Sequence, residues 1–205
     1  MNEEKDAFYP KDRAAWRNWL DKYHQKKDSI WLILYKKESG THAIGYDAAV
    51  EEALCFGWVD SKPNKRDEES YYLFFAKRKP SSNWSALNKT RVAKLQKAGL
   101  MMPAGQAMID IAKKNGKWDA LNEVDQLIIP KDLKDTFKAY PGAAKNFDAF
   151  PPSTKRGILE WIGNAKTPAT RTKRLIETAS LAEKIFGPIS TYPRISVNAR
   201  DSWAG

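Results

Sequence analysis

The sequence predicts an α+β protein: a small antiparallel sheet of about three strands packed with helices, followed by an all-helical C-terminal module. Three observations carry that expectation. Bulky apolar runs bounded by charge, the mark of strands, all lie before Pro80. Apolar residues at helical spacing occur on either side of these runs. After Pro130 the strand signals vanish, and helical stretches punctuated by Pro141-Gly142 and Pro151-Pro152 take over. A chain of 205 residues, 42% apolar and with eight tryptophans, can bury one sizeable core or two small ones without disulfide or metal staples. The expected division is 1–128 for the α+β domain, 129–187 for the helical module and 188–205 for a tail without periodicity.

The first helix is expected from Asp12 to His24, because Trp16, Trp19, Leu20 and Tyr23 fall on one face. Ile30 to Tyr35 is a nearly continuous apolar run, as in a strand covered on both faces, and Ser39-Gly40-Thr41 breaks it. Asp47 is a good N-cap for a short helix whose Val50, Ala53 and Leu54 point inward while Glu51 and Glu52 point outward. Gly57 suits the left-handed conformation that ends a helix. Trp58-Val59-Asp60 and Tyr71 to Ala76 then form a hairpin around the polar loop Lys62 to Glu69. A helix from Asn83 to Ala98, capped by Ser82, ends at Gly99, and another opens at Pro103 and ends at Gly116. Further helices are expected over 131–139, 143–147, 153–165 and 168–186; Thr167-Pro168 is the cleanest start signal among them.

Several function classes have no support in the residues. The lone Cys55 and the distant His24 and His42 cannot assemble a zinc site, and no nucleotide-binding fingerprint or nucleophile motif is present. No cofactor is expected. No apolar stretch reaches the length of a membrane span, and the charged N-terminus lacks a signal peptide's apolar stretch, so the expected location is the cytoplasm. The net charge of +10 favours polyanionic partners: a small anionic ligand first, nucleic acid through basic helices as an alternative.

A candidate ligand site centres on two tryptophan motifs, Phe56-Gly57-Trp58-Val59-Asp60-Ser61 and Arg78-Lys79-Pro80-Ser81-Ser82-Asn83-Trp84-Ser85. Helical spacing places Trp84, Leu87, Asn88, Arg91, Leu95 and Ala98 on one stripe, so an amide and a guanidinium occupy a face that should pack inward. Such an arginine needs a partner, and Asp60 is the expected one. Asn88 and Arg91 then either staple the helix to the sheet or line a pocket walled by Trp58 and Trp84. Lys79 and Ser85, beside a helix N-terminus, could receive a carboxylate or phosphate. The site residues are therefore Trp58, Asp60, Lys79, Trp84, Ser85, Asn88 and Arg91. No catalytic residue is assigned.

The stretches Tyr46 to Ser61, Lys77 to Asn88, Met102-Pro103-Ala104-Gly105, Phe150-Pro151-Pro152-Ser153 and Ala165 to Arg171 resemble the YdeI/OmpD-associated (bacteriocin-protection) family, roughly over residues 8–186. The family's usual proline near Ala76 or Lys77 is missing here. The resemblance implies a bacterial cytoplasmic protein whose C-terminal module is the helical region after Pro130; it implies no catalytic residue and no cofactor. The expected function is a non-enzymatic binding or stress-protection protein. The alternative to binding alone is an enzyme on a small anionic substrate, with Asp60 as acid or base and Arg91 or Lys79 as anion clamp.

Overall fold

The computed structural model describes residues 7–184, and the chain divides into two compact units at Ala120/Leu121. In the first unit, Asp12 caps helix α1 (Arg13–Tyr23) by accepting a hydrogen bond from the Ala15 N–H at 2.7 Å, and Trp16 and Leu20 are fully buried. The sheet has four strands in the order β1 (Ala7–Phe8), β2 (Ser29–Tyr35), β4 (Ser70–Lys77), β3 (Trp58–Lys65). It is larger than the expected three-stranded sheet and mixed, because β1 pairs with β2 in parallel. A two-residue strand shows no alternation, so only its pairing with β2 reveals it. Strand β3 also runs through residues expected to be loop. Its Pro63 follows a register irregularity after Asp60, on the outermost strand, where a proline removes no ladder bond on the open side.

Period-two alternation sends Leu32, Leu34, Leu73 and Phe75 into the helix-covered core, while Trp31, Phe74 and Tyr72 share the other face. Helix α2 (Tyr46–Cys55) is capped by the backbone of Gly45, with Asp47 inside its first turn, so the expected Asp47 cap does not form. Glu51 and Glu52 are buried, which overturns the expectation that they face solvent. Arg13 reaches both at 2.9 and 2.5 Å, Arg17 holds Glu52 at 2.7 Å, and Lys94 approaches Glu51 at 3.4 Å. α2 lies between α1 and helix α3 (Ala86–Lys97), and beyond its exposed first turn every residue from Ala49 to Cys55 is buried. Its carboxylates are accommodated by cations from both neighbours.

Gly57 leaves α2 at φ 73° and starts β3. Helix α4 (Pro103–Lys114) packs so closely on the end of α2 that a Cβ on Gly105 would sit 2.3 Å from the Cys55 carbonyl oxygen. The second unit is helical: α5 (Asn122–Asp125), α6 (Lys131–Phe137), α7 (Ala143–Asp148), α8 (Pro152–Gly163) and α9 (Pro168–Lys184). Leu133, Phe147, Ile162 and Ala179 are its fully buried centre, and Thr167 Oγ1 accepts the Thr170 N–H at 3.1 Å as its start signal predicts. The tail after Gly187 and the helix end at Phe186 lie outside the described residues. Among the described residues no helix is long and apolar enough to cross a membrane.

The Gly105 contact is with backbone, which cannot move aside cheaply. Gly105→Ala is expected to lose about 3 kcal/mol of unfolding free energy, read from urea denaturation. A loss under about 1 kcal/mol would mean that the α2–α4 contact yields more easily than its geometry indicates.

Candidate functional site

The expected site residues fall into two clusters rather than one pocket wall. The first joins the N-terminus of α2 to α3 and β3. Arg91 is buried and donates from Nη2 to Asp47 Oδ1 at 2.5 Å and from Nη1 to Asn88 Oδ1 at 3.2 Å. Its expected partner Asp60 is engaged elsewhere, accepting the Tyr46 hydroxyl at 2.9 Å. Asp47 is free to receive Arg91 because it stands in the first turn of α2 instead of capping it. The predicted stripe on α3 is also revised: Leu87 is 59% exposed, and Trp84 precedes the helix. The cap is Ser85, whose Oγ accepts the Asn88 N–H at 3.3 Å, and not Ser82.

The second cluster forms where the β3–β4 ladder ends. Trp58 pairs with Lys77, and the next residue, Arg78, donates its backbone N–H to the Gly57 carbonyl at 2.9 Å. The Lys79–Ser82 turn closes through a bond of 3.0 Å and brings the chain round to Trp84. The Arg78 guanidinium then lies over the Trp84 ring at 3.8 Å and donates from Nη1 to the Asn83 carbonyl at 3.0 Å. Trp58 and Trp84 are each only 1% exposed, and Arg78 is 5% exposed. Lys79 and Ser81 are exposed in the turn. Trp58 and Trp19 meet at nearly right angles with ring centres 5.8 Å apart, and Trp84 leans on Trp118 at 5.1 Å. These indoles are core, and what makes the place unusual is the cation set among them.

Arg78 has no carboxylate within ion-pair distance among the described residues; the charge that favours it most is Asp60, which acts through space. Burial pushes its guanidinium down to about 10, with Asp60 pulling the other way. Its Nε, the Ser82 hydroxyl and the Trp58 indole nitrogen are buried without a hydrogen-bond partner. Buried polar atoms are nearly always paired, so three in one stretch of fold mark an unfilled demand for an acceptor and a donor. Sequence reasoning passed over Arg78 as one cation in the run Lys77-Arg78-Lys79. The signal available was Pro80, which turns the chain so that Arg78 meets a tryptophan six residues on.

An α+β unit holding a buried arginine without a carboxylate partner, followed in the chain by a small helical unit, is the class that fold and site define. Residues 8–108 match the model of a domain of unknown function (DUF8412), and this segment contains both tryptophan motifs. Residues 126–184, in the helical unit, match the family described as "Bacteriocin-protection, YdeI or OmpD-Associated". No curated protein and no solved structure matches the chain.

Tyr46 allows a pH test of the first cluster. Burial, followed by the Asp60 charge, pushes its phenol up to about 12, so the folded chain holds this proton longer than the unfolded one. The contribution to stability is complete below the ordinary phenol value of about 10 and is lost as pH rises from there to about 12. The stability difference between wild type and Tyr46→Phe, from denaturant titrations across that window, is expected to shrink with rising pH. A difference that stays flat would show that Asp60 does not hold the phenol.

Proposed function

We propose that this is a non-enzymatic binding or stress-protection protein acting in the cytoplasm, and that it recognises a small anion at Arg78. The supporting observation is the guanidinium itself: 5% exposed, stacked on Trp84 at 3.8 Å, and with Nε unpaired. An uncompensated buried charge is costly, and a carboxylate or phosphate oxygen on Nε would both neutralise it and satisfy the donor. The Ser82 hydroxyl stands in the same turn as a further donor, and Lys79 supplies positive charge at the exposed side. Trp58 and Trp84 keep the surroundings dry, which strengthens any ionic hydrogen bond made there. In this reading Ser85, Asn88, Arg91 and Asp60 position the site: Ser85 starts α3, Arg91 with Asn88 and Asp47 ties α3 to α2, and Asp60 moderates the Arg78 charge. The lone buried Cys55 fits a reducing compartment.

Titration calorimetry with inorganic phosphate and with sulfate tests the proposal. Wild type is expected to give a saturable one-to-one isotherm, and Arg78→Gln to weaken it by about ten- to a hundredfold, the worth of one hydrogen bond to a charged group. The variant also separates binding from a purely structural role. Removing a buried cation that lacks its anion is expected to leave stability within about 1 kcal/mol of wild type or to raise it. Unchanged anion affinity in Arg78→Gln, or a loss of stability of about 2 kcal/mol with no anion bound by wild type, sinks the proposal.

A further inference from the structure

We infer that the anion is a small molecule carrying several linked phosphates, held along a row of cations built on the touching indoles of Trp84 and Trp118; this rests on the anion-binding reading of Arg78. Arg78 covers the Trp84 ring, and Trp84 leans on Trp118 at 5.1 Å. Trp118 carries two ammonium groups, Lys89 Nζ at 5.7 Å and Lys113 Nζ at 5.4 Å from its ring. Three cations are thereby gathered on two rings, and Asp119 approaches Lys89 at 3.8 Å. The backbone makes this gathering rigid. The Trp84 N–H donates to the Lys117 carbonyl at 3.2 Å, and Asn115 Nδ2 donates to the Pro80 carbonyl at 2.8 Å. These bonds fasten the 79–84 turn to the end of α4, from which Lys113 comes.

Ordinary helix electrostatics account for only part of this. Lys113 is in the last turn of α4, where a cation complements the helix dipole. Lys89 is in the first turn of α3, which contains no acidic residue, and a cation opposes the dipole there. The fold thus sets Lys89 against its own helix end and over the same indole that receives the Lys113 ammonium. Attraction to the indole face offsets some of that repulsion, and a polyanion would remove it. A single tetrahedral anion can answer Arg78. Reaching the lysine pair on the second indole as well requires charges linked in a chain, and each phosphate brings strong acceptor oxygens for both guanidinium and ammonium groups.

The probes are inorganic phosphate, tripolyphosphate, citrate and a short single-stranded oligonucleotide, titrated into the full chain at one fixed ionic strength. Tripolyphosphate is expected to bind at least about tenfold more tightly than phosphate. The double variant Lys89→Gln/Lys113→Gln should lose about that factor for tripolyphosphate while binding phosphate within about twofold of wild type. Arg78→Gln should weaken both. Equal affinity for the two anions, or a tripolyphosphate advantage that survives the lysine double variant, overturns this inference and leaves the Arg78 site standing. Failure of wild type to bind either anion overturns both readings. Tighter binding of citrate or of the oligonucleotide than of tripolyphosphate overturns the polyphosphate assignment in favour of polycarboxylates or nucleic acid. Circular dichroism of each variant checks that the fold is intact.

Discussion

Helix α2 is buried almost all the way round, and the two carboxylates it carries inside, Glu51 and Glu52, are tolerated there because Arg13, Arg17 and Lys94 reach them from the flanking helices. Much of the first unit follows from that arrangement. With α2 clamped between α1 and α3, its C-terminal end is held against α4, close enough that only glycine fits at position 105. Gly57 then turns the chain into β3 and sets the register that puts Trp58 opposite Lys77. Arg78 sits at the ladder's end because the Gly57 carbonyl takes its N–H. The ionic clamp and the candidate site are thus two ends of one placement.

The two buried arginines of this unit have opposite fates. Arg91 has Asp47 and Asn88 within hydrogen-bond reach, so its charge is spent on joining α3 to α2. Arg78 has a backbone carbonyl, an indole face and a more remote carboxylate. A protein that needed only a rigid turn would be served by an apolar residue over Trp84, since burying a cation without its counter-ion costs more than dispersion against the ring returns. That imbalance is the physical reason for assigning an anion to Arg78 and none to Arg91.

Much of the architecture was legible from short-range signals. Asp12 and Thr167 announce their helices because a capping oxygen acts within three residues, and Gly57, Gly99 and Gly116 mark helix ends because a positive φ is a local demand. The expected site was legible only as a neighbourhood. Trp58 and Trp84 do bracket the unusual place, yet the stripe through Asn88 and Arg91 assumed a helix beginning at Asn83, whereas Ser85 starts it. Glu51 and Glu52 looked solvent-facing because adjacent charges on a helix normally are; nothing in α2 itself says that cations from α1 and α3 will surround it.

The sequence alone determined the α+β class, the helical character of the C-terminal unit, the helix ends marked by Gly57, Gly99 and Gly116 and the two motifs around which a site could form, since each is written in spacings of a few residues. Tertiary structure decided which carboxylate meets which cation. Asp47 went to Arg91, Tyr46 to Asp60, the glutamates to Arg13, Arg17 and Lys94, and Arg78 was left to the face of Trp84. Ion pairing depends on distances across the fold, between residues tens of positions apart, and no local pattern encodes which charge will be left over.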